Sequence, residues 1–263
     1  MPRTSVPPAA PTAAPDGAAK ETFRVRHRKR RHQEFLDEAL RIVATEGLGA
    51  LTMKRVTDQL ECAAASIYSY FPSKGALIAA VQSEALLTLG SSLQVSQANL
   101  ERRLVGRDPK VASLARIVAA SRFWVSAETM FPREIELCRM LFGSPTEVIP
   151  EDEAEPVLSP AMTLLGFGSG LLDAAAESGA LTPGDAFERA TAILAGSTGV
   201  LLAGSLARWD KRLLDARSYA DRMLHVMFLG WGADPGALAE VDSVVDELAR
   251  VGELVPAAPP ALD

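Results

Sequence analysis

The feature that most constrains the fold is a helical spacing of apolar residues, which recurs along most of the chain. In the first clear example, Phe35, Ile42 and Val43 fall on one face of a helix, and Gly47 provides a stop. No segment convincingly alternates apolar and polar residues in the way that a half-buried strand requires. The sequence therefore predicts an all-α protein.

Charge divides the chain into two parts. Residues 1–80 carry 12 Lys and Arg against 8 Asp and Glu, whereas the remainder carries 15 against 25. Six basic side chains lie within residues 24–31, so this end can approach a polyanion. The Pro- and Ala-rich start lacks the apolar core of a secretory signal and reads as a disordered tail. We predict a tail at 1–23, a first, basic domain at 24–80, a second domain at 81–252 and a C-terminal tail at 253–263.

Two short helices joined by a tight turn are predicted within the first domain. Thr52 can cap a helix that runs to Leu60, and a second short helix from Ala64 to Tyr70 follows a turn at residues 61–63. Phe71-Pro72 closes it, because proline disfavours helical geometry in the residue before it. Such a pair, braced by a longer helix, places one helix in the major groove of DNA.

These residues resemble a known family. The stretch from Leu51 to Leu77, and above all Ile67-Tyr68-x-Tyr70-Phe71-x-Ser73-Lys74-x-x-Leu77, is similar to the N-terminal domain of TetR (AcrR-like) repressors. The resemblance implies a helix-turn-helix domain followed by a helical ligand-binding and dimerisation domain. It further implies a cytoplasmic homodimer that a small-molecule inducer releases from a palindromic operator.

Three positions depart from the family pattern. Glu61 stands where the family generally has glycine, so a turn that needs a left-handed backbone must tolerate a side chain. Ala63 replaces the usual Ser or Thr cap of the recognition helix, and Gly75 replaces a common acidic residue. We expect these three changes to weaken local stability.

Two sets of DNA contacts are expected in this motif. By the resemblance, hydroxyl and ammonium groups donate hydrogen bonds to phosphates, although core packing is an alternative for the two tyrosines. The groove-facing set contains no Arg, Asn or Gln for a bidentate base contact, so we expect little direct readout of base edges. The phosphate set is Thr52, Lys54, Tyr68, Tyr70 and Lys74, and the groove-facing set is Ala64, Ala65, Tyr68 and Ser69.

The basic run offers a further contact with DNA. We expect it to enter the flanking minor groove and to add specificity through groove shape. In the alternative interpretations, the segment begins the first helix or is a solvated charge run. The residues concerned are Arg24, Arg26, Arg28 and Arg30.

The second domain is expected to contain further helices, with a surface loop over the acidic stretch 147–155. Residues 190–207 hold no charge, and we interpret them as a buried helix rather than a membrane span. With the helix at 217–230, which includes Tyr219, Val226 and Leu229, this segment resembles the pair that forms the family's dimer interface. The predicted helices are 74–97, 109–128, 131–143, 154–179, 183–209, 217–230 and 234–250.

A ligand pocket is expected among bulky residues of these helices, and core packing is the alternative for each of them. Arg122, Glu136 and Arg139 are candidates for orienting a polar group of the ligand. The pocket candidates are Phe123, Trp124, Phe131, Met140, Met162 and Phe167, with Met130 and Phe142 as further members of the set.

Other functional classes find little support. The chain has no phosphate loop, HExxH or GxSxG motif, and the glycine-rich stretch 166–170 lies in a predicted helix rather than after a strand. Two separated cysteines and three scattered histidines suggest neither a disulfide nor a metal site. We therefore predict no catalytic activity, no metal and no cofactor. A DNA-binding protein without an inducer remains an alternative.

Overall fold

The computed structural model describes residues 16–143, 149–204 and 216–257, and the regular elements of these ranges are all helical. This confirms the predicted all-α fold. Single-turn 3-10 helices occur at Leu48–Ala50, Ala127–Thr129 and Glu151–Glu153. The α-helices are α1 (Asp16–Glu46), α2 (Met53–Gln59), α3 (Ala64–Ile67), α4 (Lys74–Leu104), α5 (Pro109–Ser126), α6 (Pro132–Gly143), α7 (Glu155–Glu177), α8 (Ala186–Gly204), α9 (Ala216–Gly230) and α10 (Pro235–Arg250).

The first compact unit, residues 1–70, contains α1 to α3. Phe35 and Ile42 of α1, Val56 of α2 and Ile67 of α3 are fully buried, and together they form a small apolar core. The hydroxyl of Thr52 accepts a hydrogen bond from the Arg55 amide at 3.1 Å, which confirms the predicted cap of α2. This core fixes the positions of two short helices that are too short to be stable alone.

Helix α1 begins well before the expected start near residue 31. It includes residues 16–23, which the sequence analysis placed in a disordered tail. Their residues Ala18, Ala19, Lys20 and Glu21 are strong helix formers, and they follow the last proline of the tail. Composition alone therefore misjudged this segment, while residues 1–15 lie outside the described part of the chain.

The second unit, residues 71–263, is built around α5. Twelve of the 18 residues of this helix are buried, because α4, α7, α8, α9 and α10 all pack against it. The boundary between units falls after residue 70 and not after residue 80 as predicted. Helix α4 runs without interruption from Lys74 and packs on α5, α6 and α7, so its first turns belong to the second unit.

Most of the predicted helices of this unit are observed, with differences at their ends. Helix α4 continues to Leu104, seven residues further than expected. Helix α8 begins at Ala186 rather than at Pro183, because the carboxylate of Asp185 accepts a hydrogen bond from the Glu188 amide at 2.9 Å and caps the helix there. The predicted continuation of α8 over 205–209 lies outside the described residues.

The start of the predicted C-terminal tail is packed rather than free. Leu254 is buried, with 2% of its surface exposed, and Ser92 of α4 donates a hydrogen bond to the Pro256 carbonyl at 2.6 Å. Arg103 forms an ion pair with Glu253 at 2.5 Å. These contacts hold residues 253–256 against α4.

Within the described part of the chain, α4 and α7 are long and apolar enough to cross a membrane by length and composition. For α4, 56% of the apolar window is buried, as in the core helix of a globular unit. For α7 the buried share is 11%, so this helix carries an exposed apolar face. The uncharged segment that begins at residue 190 is different, because its inward residues Ala190, Ser197 and Leu201 are buried in the second unit.

Candidate DNA-binding surface and ligand cavity

The turn between α2 and α3 follows from the way α2 ends. The amide of Cys62 donates to the Thr57 carbonyl at 3.0 Å, a hydrogen bond that closes the helix in a left-handed cap. The residue that takes up the left-handed backbone is Glu61, with a φ of 49°. Glycine adopts this conformation without strain, so the departure noted in the sequence is a strained position in the structure.

Helix α3 presents a small, uncharged face to solvent. Ala64, Ala65 and Ser69 are exposed, and 54% of the Tyr68 surface is exposed. Core packing is therefore excluded for Tyr68. The α-helical part ends at Ile67 rather than at residue 70, and one further turn follows, in which the Tyr70 amide donates to the Ile67 carbonyl at 2.9 Å.

Tyr70 behaves differently from Tyr68. Its ring lies 5.3 Å from the ring of Phe35 and 6.4 Å from that of His32, centroid to centroid. The side chain is half-buried against α1, so much of its role is packing. The phenolic hydroxyl group of Tyr68 is the better placed of the two to meet a ligand outside the unit.

The remaining phosphate candidates are exposed. Thr52 lies at the N-terminus of α2, and Lys54 forms an exposed ion pair with Asp58 at 2.5 Å, which a phosphate would have to compete with. Lys74 is exposed in the first turn of α4, in the second unit. The side chain of Ser73, one residue earlier, accepts a hydrogen bond from the Ala76 amide at 3.0 Å, as expected for a cap.

The basic run lies on helical turns of α1, which corresponds to the alternative interpretation of the sequence. Arg24 and Arg28 share one exposed face with His27, next to Ser69 and Tyr70, and the Arg28 guanidinium carbon is 5.9 Å from the centre of the Tyr70 ring. Arg26 and Arg30 lie on the opposite face of the same turns and are also exposed.

The expected entry into the minor groove needs correction for this conformation. An α-helix with its side chains is about 10 Å wide, whereas the minor groove is about 6 Å wide. The helical turns at residues 24–31 are therefore too wide to enter the minor groove as a helix. Minor-groove contact would require these turns to unwind.

Gly75 was expected to weaken the structure, and its surroundings show another reason for a glycine. A Cβ at this position would lie 2.6 Å from Cδ of Pro150 and would also collide with the Glu153 carboxylate. Glu153 accepts a hydrogen bond from Ser73 at 2.6 Å. The acidic segment before α7 thus rests on the start of α4, a contact that the sequence signalled only as an acidic surface loop.

An apolar cavity of about 120 Å³ lies within the second unit. Helices α4, α5, α6, α7 and α8 line it, and its wall is mainly aliphatic. Cavities of similar size accept ligands as large as benzene. Its lining includes Leu86, Ile117, Trp124, Ile135, Cys138, Arg139, Leu164, Gly168, Ile193, Ser197 and Leu201.

Of the six predicted pocket residues, Trp124 lines this cavity. Phe123 and Phe131 are buried in the adjoining core. Met162 and Phe167 are 52% and 38% exposed on α7, and Met140 is half-buried outside the lining. The prediction selected bulky side chains, but a cavity forms where small and medium-sized residues leave space between helices.

Three further candidates behave differently. Met130 is 53% exposed, and the side chain of Phe142 lies outside the described residues. Arg122 is buried away from the cavity, and its guanidinium group binds Asp221 at 2.7 Å, Asp242 at 2.8 Å and Asp246 at 3.0 Å. Burial raises the pKa of Asp242, and the nearby Arg122 partly offsets this rise. Arg122 therefore ties α5 to α9 and α10 and does not orient a ligand.

The polar groups of the cavity wall are few. Arg139 forms ion pairs with Glu128 at 2.8 Å and with Glu136 at 3.1 Å. Burial raises the pKa of the Cys138 thiol to about 12, so it stays protonated and unreactive at neutral pH. The hydroxyl of Ser197 is buried and has no hydrogen-bond partner among the described residues.

Comparison with known proteins identifies the first of these two regions. Residues 35–81 match the family described as bacterial regulatory proteins, tetR family. The chain carries a DNA-binding domain of the TetR type. The match covers the end of α1, the two short helices, their turn and the beginning of α4. No curated protein sequence matches the chain.

Solved structures show a likeness of fold that extends beyond this domain. A protein of unknown function from Rhodococcus sp. RHA1 aligns with a TM-score of 0.52 and 18% identity, over 76% of this chain and 94% of that one. RolR, in complex with resorcinol, aligns with a TM-score of 0.52 and 19% identity, over 84% and 95%. AibR, in complex with isovaleryl coenzyme A and operator DNA, has a TM-score of 0.46 and 16% identity, over 75% and 98%.

Proposed function

We propose that this chain is a TetR-family regulator, a cytoplasmic homodimeric repressor that binds a palindromic operator and leaves it when a small molecule occupies the second unit. The observation that carries the proposal is the exposed face of α3 beside the basic face of α1. Two such faces related by a two-fold axis would read two half-sites one helical turn of DNA apart, or a multiple of it.

Contacts with DNA divide between these two helices. Arg24 and Arg28 are exposed and cationic, so they supply phosphate contacts that give affinity without sequence preference. Ala64 and Ala65 are small enough for α3 to approach base edges and thymine methyl groups closely. The exposed phenol of Tyr68 and the exposed ammonium groups of Lys54 and Lys74 add phosphate contacts at the rim.

Dimerisation is supported by apolar side chains on α8 and α9. Val226 is 71% exposed, and Tyr219, Leu202 and Leu229 are between 43% and 46% exposed. Helix α8 packs closely on α9, since a Cβ at Gly196 would lie 3.0 Å from Cε of Met223. A second copy would cover this apolar surface and form a four-helix interface.

The Val226→Glu variant tests the interface. A buried, unpaired carboxylate is costly, so we expect the variant to sediment as a monomer and to lose operator affinity. Val105→Glu is the matched control, because Val105 is 83% exposed after the end of α4. Equal sedimentation of both variants and the parent as dimers would place the interface elsewhere.

Release by a ligand is supported by the cavity. RolR, which shares this fold, was solved with resorcinol, and we extend to this chain small-molecule binding in general. Leu86 of α4 lines the cavity, and the same helix begins at Lys74, four residues after the first unit ends. We propose that occupation of the cavity shifts α4, which follows the DNA-binding unit directly in the sequence. A ligand that binds the DNA-free conformation about a hundredfold more tightly than the DNA-bound one supplies about 2.7 kcal/mol of coupling free energy.

The deciding experiment is a fluorescence anisotropy titration of the full chain. Its own upstream DNA is compared with a scrambled duplex at several salt concentrations, and a panel of small molecules is then added. We expect tight binding of the upstream duplex, a linear fall of log affinity with log salt, and release by at least one compound. Equal affinity for both duplexes would contradict specific regulation at that locus. Specific binding that no compound weakens would favour a DNA-binding protein without an inducer.

A further inference from the structure

The wall of the cavity disfavours an anionic ligand. Arg139 is the one cation among the described residues that line it, and its charge is already met by Glu128 and Glu136. A carboxylate placed in this aliphatic space would lose its hydration without gaining a free counter-charge, which is strongly unfavourable.

Two buried polar groups of the wall make no hydrogen bond with a described residue, the hydroxyl of Ser197 and the Nε of Arg139. The Arg139 Nε lies 3.1 Å from a carboxylate oxygen of Glu136, so its charge is compensated, whereas the Ser197 hydroxyl is uncompensated. Ser197 on α8 lines the cavity with 3% of its surface exposed, and none of the described residues accepts or donates a hydrogen bond at its hydroxyl. Ser121 on α5 lines the same space, but its hydroxyl donates to the Ile117 carbonyl at 2.9 Å. An unpaired buried hydroxyl is costly, so a ligand that pairs with Ser197 gains a hydrogen bond at little expense.

Size sets a third condition. A free volume of about 120 Å³ admits a compact body of roughly one ring. Gly168 of α7 and Ala120 of α5 open part of this space. Larger side chains at these two positions would fill it.

We propose that the cavity selects a compact neutral molecule with an apolar body and one hydroxyl or carbonyl group, and that Ser197 recognises this polar group. The inference rests on the proposed function, since it names the class of ligand for the same cavity. It excludes carboxylates and other anions as ligands of this site.

Three probes that share one aromatic ring separate charge from hydrogen bonding. Phenol, toluene and benzoate have the same ring and differ in one substituent, and benzoate alone is charged at pH 7. Calorimetric titration of the full chain measures their binding without DNA. We expect phenol to bind about fivefold more tightly than toluene, as one net hydrogen bond predicts, and benzoate to bind at least a hundredfold more weakly than phenol.

Two serine variants test the assigned residue. Ser197→Ala should weaken phenol binding about fivefold and leave toluene binding unchanged or slightly stronger. Ser121→Ala is the matched control and should leave the preference for phenol intact. Benzoate binding as tightly as phenol, an unchanged preference in Ser197→Ala, or the absence of binding by all three probes would each overturn the inference.

The same probes keep this inference separate from the proposed function. Operator release is measured in a second assay by anisotropy. If phenol binds with the expected preference and the operator complex stays intact, the chemistry of the cavity stands and ligand-induced release fails. If no probe binds the cavity and the protein still binds its operator, the ligand class is wrong while DNA binding stands.

Discussion

The two units differ in whether their functional groups are exposed or belong to the buried core of the unit. In residues 24–70 the groups that would meet DNA are exposed, and the core below them is formed by residues such as Phe35 and Ile67. In the second unit the groups that would meet a ligand form the wall of the core itself, as Ile135 and Leu172 do with 1% exposure each. Function and stability are therefore separable in the first unit and coupled in the second.

The largest effect that tests this contrast is expected at the basic face of α1. The double variant Arg24→Ala and Arg28→Ala removes two exposed cations without touching the core. Operator affinity should fall by about thirtyfold, at roughly 1 kcal/mol for each contact. The slope of log affinity against log salt should become shallower by about 2, because each lost phosphate contact removes about 0.9. The melting temperature should remain that of the parent.

A matched double variant of the second unit provides the control. Arg133→Ala and Arg250→Ala remove the same charge from exposed positions on α6 and α10. If this control lowers DNA affinity as much as the α1 variant, the effect reflects net charge alone and the assignment of the basic face is wrong.

The second prediction concerns the buried wall of the cavity. The thiol of Cys138 has a pKa of about 12 in the folded chain, against 9.0 for an ordinary thiol. Between pH 9 and pH 12 the unfolded chain therefore loses a proton that the folded chain keeps. The free energy of unfolding should fall in this window, by up to about 1.4 kcal/mol per pH unit from this group. Below pH 9 the group contributes no pH dependence.

Denaturant titrations at pH 8.5 to 10.5 measure this dependence. Cys138→Ala should show a shallower fall with pH than the parent, whatever its absolute stability. Cys62→Ala, which changes a half-buried cysteine of the first unit, should keep the steep fall. Parallel curves for the parent and Cys138→Ala would show that the cavity wall is open to water.

The same contrast explains which parts of the site the sequence could predict. The α2–α3 motif is local: the Thr52 cap, the spacing of Ile67 and Tyr68, and the left-handed position of Glu61 all lie within a few residues of one another. The cavity depends on five helices, and whether Trp124 lines it while Phe123 is buried beside it is decided by packing between distant segments. The sizes of the side chains in the sequence therefore do not predict where the packed helices leave a cavity.

Two other differences have the same origin. The guanidinium group of Arg122 pairs with three carboxylates of α9 and α10. These partners are too distant in the sequence to form a recognisable motif with Arg122. The start of α1 at residue 16 was hidden by the proline- and alanine-rich composition before it, although alanine itself favours helix.

A third prediction tests whether the recognition turn is strained. Glu61 holds a φ of 49°, which costs an L-residue about 1–2 kcal/mol and costs glycine much less. Glu61→Gly should therefore raise the local opening free energy of α2 and α3 by about 1 kcal/mol, measured by amide hydrogen exchange in the full chain. Glu61→Ala keeps the backbone strain and should give no such gain. An equal gain in both variants would assign the effect to the removed charge.

The smallest expected effect is at the start of α3. Ala63 is the N-cap and its side chain makes no hydrogen bond there, so the first amides of a four-residue helix lack a side-chain partner. The variant Ala63→Ser supplies an acceptor, and a cap of this kind contributes about 0.5–1 kcal/mol. Slower hydrogen exchange at the amides of residues 65 and 66 should report it. Ala64→Ser places the same hydroxyl one residue inside the helix, where it cannot cap, and should leave exchange unchanged.

Because the added cap orders α3 before DNA arrives, operator affinity should rise in Ala63→Ser by a few-fold at most. Unchanged exchange in Ala63→Ser would mean that the turn through Tyr70, and not the cap, holds the recognition helix in place.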